Sequence, residues 1–198
     1  MAIFFTADLH FGHRAMLNLG IRDYPDVDSM DAALVTNWNN TVGLYDEVYI
    51  LGDVSFRNNA ATYDIVTSLH GRLYLLRGNH DKLSALVRSE FEWEKDYHVL
   101  KVQHPESRTN LRIVLSHYAF RTWDAMHYGS WNLHGHSHGT LESKGKQLDV
   151  GVDSAKRLLG QHRPFSLLEI ADIMQSRSVF SEDHTSQRAT NTALSPRA

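Results

Sequence analysis

Five short apolar segments of this chain each end directly in polar side chains, most of them histidine, aspartate or asparagine. The segments are residues 3–7, 48–51, 73–76, 111–115 and 131–133. Near-continuous apolar runs of this length are typical of strands that are buried on both faces. In sheets with parallel strands, ligands gather at the carboxyl ends of the strands. If these strands share one edge, we expect five polar loops to meet at one place.

Stretches whose apolar residues have helical spacing lie between some of these segments. Apolar side chains recur at three or four residues within 30–38, 65–69 and 83–87. Ser166 and Glu169 form a capping box that predicts a helix over the following residues.

The later part of the chain is richer in strands than the earlier part. Residues 99–115 predict a hairpin, and residues 147–152 predict a further strand. Since strands and helices alternate only in the earlier part, the sequence favours an α/β fold. We expect two mixed β-sheets packed as a sandwich and flanked by helices, an α/β/β/α arrangement.

Composition limits the class of protein. The 198 residues, 42% of them hydrophobic, suffice for one domain, which we place at 1–175, followed by a polar, flexible tail at 176–198. The apolar run at 2–7 has no basic region before it and is too short for a signal peptide or a membrane span. We therefore expect a cytoplasmic protein that does not bind membranes. The net charge of −3 offers no electrostatic case for a general nucleic-acid binder.

Two of the polar clusters are rich in metal-binding side chains. Asp8 and His10 lie near the N-terminus, and His134, His136 and His138 alternate with small residues more than a hundred positions later. The chain has no cysteine, so a transition-metal site must use nitrogen and oxygen ligands. Structural zinc sites usually rely on thiolates, so these clusters indicate a catalytic metal centre.

All five polar clusters, taken in order, match one motif set. The motifs are D-x-H, GD, GNH followed by an acidic residue, H, and GHxH. In this chain they are Asp8 with His10, Gly52 with Asp53, Gly78 to Asp81, His117, and Gly135 to His138. Over residues 3 to about 153 the chain resembles the calcineurin-like metallophosphoesterase superfamily, and within it the small bacterial and phage-type phosphoesterases.

The resemblance implies a dinuclear metal site. Asp8, His10 and His138 would hold the first ion. Asn79, His117 and His136 would hold the second, and Asp53 would bridge both. Manganese is the ion we favour, with iron, zinc or nickel as alternatives. His80 would stabilise the phosphate and protonate the leaving group.

One departure from the family concerns the second motif. Phe56 stands where the protein-phosphatase branch has the carboxylate that pairs with the catalytic histidine, so His80 needs another partner, for which Asp81 is a candidate. Arg57 matches that branch's arginine and is a candidate phosphate ligand, as are Arg121 and His13. His13 could instead cap the following helix, and Arg121 could form a surface salt bridge. For the aromatic residues Trp123, Tyr128 and Trp131, core packing is favoured over stacking on a base.

The function expected from the resemblance is hydrolysis of a small phosphodiester or phosphomonoester, with a nucleotide as the favoured substrate, by water that the metals activate. The alternatives are a pyrophosphohydrolase acting on nucleoside polyphosphates, a non-catalytic metal-binding scaffold, and a nuclease. A nuclease would need a basic groove, and no lysine–arginine cluster lies near the motifs. The oligomeric state is not predicted.

Overall fold

The computed structural model describes residues 1–179, which form nine strands, six α-helices and one short 3₁₀-helix at Met126–Tyr128. The strands are β1 (Ile3–Thr6), β2 (Glu47–Ile50), β3 (Arg72–Leu76), β4 (Phe91–Lys95), β5 (Tyr97–Gln103), β6 (Asn110–Ser116), β7 (Trp131–His134), β8 (Gln147–Asp149) and β9 (Phe165–Ser166). The helices are α1 (Ala15–Asn18), α2 (Val27–Asn39), α3 (Asn59–Ser68), α4 (Ala85–Arg88), α5 (Val152–Leu159) and α6 (Leu167–Gln175).

The strands form two mixed sheets. The first has the order β4-β3-β2-β1-β9, in which β1 to β4 are parallel and β9 is antiparallel to β1. The second has the order β5-β6-β7-β8, in which β5 and β6 are antiparallel and β6, β7 and β8 are parallel. The carboxyl ends of β1, β2 and β3 therefore share one edge, and those of β6 and β7 share another.

Alternating side chains of the first sheet bury against different layers. Phe4 packs with Trp38 and other residues of the helices, whereas the adjacent Phe5 packs with Ile113 and Leu133 of the second sheet. This alternation follows from the two-residue period of a strand. It explains why the inner strands β1 and β2 have near-continuous apolar sequences, since both of their faces are covered.

The structure confirms the predicted two-sheet α/β fold, the hairpin and the capping box. In that box the Glu169 N–H donates to Ser166 Oγ at 3.2 Å, and the Ser166 N–H donates to Glu169 Oε2 at 2.9 Å. The strand predicted at 147–152 is wrong in its second half, because β8 ends at Asp149 and α5 begins at Val152.

The predicted boundary between domain and tail is not tested. Most of the tail, residues 180–198, lies outside the described part of the chain. Within residues 1–179, no helix combines the length and the apolarity needed to cross a membrane.

Candidate metal centre

The loops after five parallel strands converge where the two sheets meet. The main chain joins them directly: the Asp8 N–H donates to Gly52 O at 2.9 Å, and the Gly135 N–H donates to His117 O at 3.0 Å. The convergence brings together two groups of side chains whose ligand atoms lie within 4.8 Å of one another in each group. The first cluster is Asp8, His10 and His138, and the second cluster is Asp53, His117 and His136.

The first cluster is largely buried. Asp8 and His10 are buried and His138 is half-buried. His10 Nε2 lies 4.0 Å from Asp8 Oδ1, and the His10 ring stacks on the His138 ring with centroids 5.1 Å apart. The Asp8 carboxylate also accepts the His136 N–H, at 2.8 Å to Oδ2, so the two clusters share a rigid connection.

The second cluster is more open. His117 is buried, but His136 and Asn79 are exposed. His117 Nδ1 lies 2.7 Å from Leu51 O and must carry the hydrogen in that contact, because a carbonyl oxygen only accepts. In the neutral ring Nε2 therefore presents a lone pair, and it lies 2.9 Å from Asn79 Oδ1. Two electron-pair donors facing each other at this distance are suited to a shared cation.

Asp53 lies between the clusters. Its Oδ2 is 3.7 Å from His10 Nε2 and 3.7 Å from His117 Nε2. Its Oδ1 accepts the His80 N–H at 2.9 Å, which fixes the direction of the carboxylate. One carboxylate oxygen is thus equidistant from an imidazole of each cluster, the position that a bridging ligand requires.

The backbone around the clusters is strained. Five of the seven predicted ligands have φ between 47° and 66°, a region that side-chain-bearing residues rarely occupy. They are Asp8, His10, Asp53, His136 and His138. Such conformations cost about 1–3 kcal/mol each and persist where the surrounding structure enforces them, most often at functional sites. The positive φ values direct side chains that are close together in a loop toward one point. In an extended loop these side chains would point in different directions.

The glycines of the motifs make room for the ligands. A Cβ added to Gly78 would overlap Asp53 Oδ1 and lie 2.5 Å from Asp53 N. A Cβ added to Gly135 would lie 2.5 Å from Ala7 Cβ and 2.8 Å from Asp8 Oδ2. Both glycines have ordinary φ values, so the structure needs them for the close approach of neighbouring atoms and not for a left-handed backbone.

We expect Gly78→Ala to displace the Asp53 carboxylate and destabilise the protein by about 1–3 kcal/mol, the usual cost of overpacking. Denaturant unfolding and metal titration measure the two effects. Gly43→Ala is the control, because its added Cβ would meet only the Asp46 side chain, at 3.1 Å. Wild-type stability and metal binding in Gly78→Ala would contradict the packing argument.

His80 lies at the open side of the centre. Its side chain is 46% exposed, and its Nε2 is 4.0 Å from Asp53 Oδ2. Phe56 packs against it with ring centroids 4.8 Å apart, and Phe56 also stacks on His13 at 3.7 Å. Phe56 therefore orients both histidines by aromatic packing.

Asp81 is not the partner of His80. It accepts three main-chain hydrogen bonds: from Val54 N–H at 2.8 Å, from Asp53 N–H at 2.9 Å and from Gly78 N–H at 2.8 Å. Asp81 thus fastens the second motif to the third, and the suggestion that it orients His80 is wrong.

The other candidate residues occupy varied positions. His13 does not cap α1, whose N-cap residue is Arg14 and which has no side-chain cap; His13 Nδ1 is buried with no hydrogen-bond partner in the described residues. Arg57 pairs with Asp28 and with Asp31, the latter at 2.9 Å, so two carboxylates already occupy its guanidinium. Arg121 is exposed on the loop after β6.

The structure also places the remaining sequence candidates. His134 is buried, with Nδ1 2.9 Å from Gly135 O. Trp123 and Trp131 are buried, as core packing predicts, whereas Tyr128 is exposed.

Sequence analysis missed two residues behind the first cluster. Arg22 is buried, only 7% of the Asp153 side chain is exposed, and the two form a two-point ion pair, with Arg22 Nε 2.8 Å from Asp153 Oδ1 and Nη2 3.0 Å from Oδ2. Asp153 Oδ2 also lies 2.6 Å from His138 Nδ1. Asp153 follows a sixth strand, β8, just as the predicted ligands follow the other five. Its position after a strand could therefore have identified it from the sequence. Arg22 has no comparable signal, because it lies in an irregular segment between α1 and α2.

The electrostatics of the centre favour a cation. Burial, with Asp149 and Asp53 nearby, raises the pKa of Asp8 well above its usual range. Burial, together with the neighbouring His138, lowers the pKa of His10 to about 2. Both ring nitrogens of His10 are buried without a hydrogen-bond partner in residues 1–179, a cost of about 1–3 kcal/mol per unsatisfied group. Neutral imidazoles and crowded carboxylates are the donors that divalent cations bind, so the residues fit two such ions.

The pKa of His10 predicts a loss of stability in acid when metals are removed with a chelator. Below about pH 6.5 the unfolded chain binds a proton that the folded His10 does not, so the free energy of unfolding falls as the pH falls. At about 1.4 kcal/mol per pH unit, the loss from pH 6.5 to pH 5 is about 2 kcal/mol. Asparagine tolerates the positive φ, so His10→Asn should remove this contribution. Equal pH slopes for wild type and variant in denaturant unfolding would contradict it.

Comparisons with known proteins support the fold and leave the activity open. No family model matches the chain. An uncharacterized protein of Methanocaldococcus jannaschii is 27% identical over 186 residues, covering 89% of this chain and 93% of that protein. The gene 66 protein of Mycobacterium phage L5 is 26% identical over 194 residues, covering 83% of this chain and 92% of that protein.

Among solved structures, a protein of unknown function from Aquifex aeolicus matches with a TM-score of 0.63 and 23% identity. The match covers 87% of this chain and 98% of the Aquifex chain. The chain therefore shares a mixed α/β fold with a solved protein, and it combines this fold with two histidine–aspartate clusters able to hold metal ions.

Proposed function

We propose that the protein is a dimetal-dependent phosphoesterase that hydrolyses a small phosphodiester or phosphomonoester. The observation that carries the proposal is the position of Asp53 Oδ2, 3.7 Å from an imidazole nitrogen of each cluster. A single carboxylate oxygen between two sets of neutral nitrogen ligands suits a pair of divalent cations better than a single ion.

The ligand sets follow from the clusters. Asp8, His10 and His138 would hold one ion, while His117, His136 and Asn79 would hold the other, with Asp53 shared. Bound there, the two ions would lower the pKa of a water and neutralise charge on the phosphate oxygens. We propose manganese as the working ion, since nitrogen and oxygen donors without thiolate accept it.

The chain itself supplies the proton. In ester hydrolysis a water oxygen bonds to phosphorus, the P–O ester bond breaks, and the leaving oxygen takes a proton. His80 is exposed on the open side of the centre while its main chain is fixed by Asp53, so its ring can reach a substrate held at the clusters. Proton transfer from such a histidine is worth about 10²–10⁴ in rate.

A nucleotide is the substrate class we favour. Tyr118 is 50% exposed, and its ring centroid lies 4.7 Å from that of His136. An accessible aromatic ring beside a phosphate site can stack on a base, which is worth about 1–3 kcal/mol. Within the described residues, His80, Asn79 and His136 are exposed, so the clusters are open to a small substrate on that side.

A substrate panel with added manganese tests the proposal. It contains bis(p-nitrophenyl) phosphate, p-nitrophenyl phosphate, 2′,3′- and 3′,5′-cyclic nucleotides and dinucleoside polyphosphates. We expect hydrolysis of at least one ester, with loss of activity in a chelator and recovery on adding metal. Cleavage of the dinucleoside polyphosphates alone would identify a pyrophosphohydrolase and overturn the esterase proposal. No hydrolysis by protein with two bound metals would favour a scaffold.

A further inference from the structure

A buried polar network lies directly behind the first cluster. Asp153 is the second residue of α5. Its carboxylate accepts hydrogen bonds from His138 Nδ1 at 2.6 Å and from Arg22 Nε and Nη2 at 2.8 and 3.0 Å. The Arg22 side chain is completely buried, and 7% of the Asp153 side chain is exposed. A buried carboxylate held at two points has one fixed direction, which it imposes on the histidine that donates to it.

The same guanidinium also holds the first motif. Arg22 donates to Asp8 O at 2.6 Å and to Leu9 O at 2.7 Å. One side chain therefore fixes the main chain that carries Asp8 and the carboxylate that orients His138. These two ligands come from loops 130 residues apart in the sequence, so the network sets the geometry of the first cluster.

Two further side chains continue the network away from the centre. His162 Nε2 lies 3.5 Å from Asp153 Oδ1, and Tyr24 Oη lies 2.9 Å from His162 Nδ1. His162 is buried and Tyr24 is half-buried. They extend the polar surroundings of Asp153 without contacting the ligands themselves.

Within residues 1–179, the buried histidine of the second cluster has no equivalent carboxylate behind it. His117 Nδ1 donates to the neutral Leu51 carbonyl at 2.7 Å. Of the other side chains assigned to this site, Asp53 is buried, whereas His136 and Asn79 are exposed. A carboxylate that accepts from a ligating histidine fixes the ring and raises its basicity, and removing such a partner typically costs 10–100-fold in metal affinity. The two clusters are therefore unequal in burial and in the charge behind their histidines.

We infer that Asp153, held by Arg22, is the positioning residue for His138, and that it makes the first cluster the tighter of two unequal metal sites. Metal fills the first cluster before the second, and turnover follows the filling of the second. The inference rests on the proposed dimetal function and adds an order of loading to it.

Metal titration of the full chain tests the inference. Manganese binding is followed by electron paramagnetic resonance and by calorimetry, starting from metal-free protein. We expect two steps in the wild type, with His138→Gln removing the tighter step and His136→Gln the weaker one. Asp153→Asn should weaken the tighter step about 10–100-fold and shift the weaker step by less than about 3-fold.

The controls separate positioning from folding. Glu169→Gln breaks another two-point carboxylate pair, with Arg163, away from the centre and should leave both steps unchanged. If Asp153→Asn does not fold, Arg22→Gln combined with Asp153→Asn removes both buried charges together and should show the same selective loss. Two wild-type steps that weaken equally, or not at all, in the Asp153 variants would overturn the inference. A wild type that binds no metal would instead overturn the proposed function.

Discussion

Replacing Asp53 with asparagine is expected to weaken both metal sites together and to lower turnover about 10³-fold. Losing a partner that only supports a metal ligand costs about 10–100-fold in affinity, and Asp53 would contact both ions itself. Asparagine keeps an oxygen to accept the His80 N–H but removes the negative charge between the clusters. The fold should survive, because Asp81 holds the second motif through its main chain.

Metal content and two-step titration measure this effect, with activity on the best substrate of the panel. Asp124→Asn is the control, an aspartate that pairs with Arg112 on the second sheet, and should retain both ions. Full occupancy by two metals in Asp53→Asn would contradict the bridging assignment. Loss of one ion only would show that Asp53 serves a single cluster.

Replacing His80 with glutamine is expected to lower the maximal rate by about 10²–10⁴ while both metals remain bound. Glutamine can still donate a hydrogen bond to phosphate but cannot deliver a proton to the leaving oxygen. His80 belongs to neither cluster, so its removal leaves the ligand sets intact. The loss should be largest for substrates with poor leaving groups and small for nitrophenyl esters, whose leaving oxygen needs no proton.

The dependence on the leaving group distinguishes acid catalysis from a structural role. His98→Gln is the matched control and should leave the rate unchanged, since His98, on β5, packs at a tilt against Trp93 of β4. A rate within about 3-fold of wild type on a substrate with a poor leaving group, with both metals verified, would rule out His80 as the proton donor. An equal loss for all substrates would assign it to phosphate binding instead.

The sequence predicts correctly those elements of the fold whose pattern involves residues close together in the chain. The apolar run of β1 and the capping box at Ser166 each depend on residues a few positions apart, and both elements form as expected. The predicted strand at 147–152 was wrong from Val150 onward. Val150 is buried like a strand residue, but its neighbour Gly151 turns the chain into α5. A buried strand end and a buried helix start have the same apolar sequence, and periodicity over so few residues cannot separate them.

The sequence by itself determined which side chains are available for metal chemistry and that they follow strands, because strand propensity and the choice of histidine and aspartate are written in adjacent residues. Only the tertiary structure decided how they meet. It placed one oxygen of Asp53 between His10 and His117, turned Asp81 away from His80, and buried Arg22 and Asp153 behind His138. Those relations depend on parallel strands from two sheets ending at one place, and contacts between residues on different strands and loops leave no local pattern in the chain.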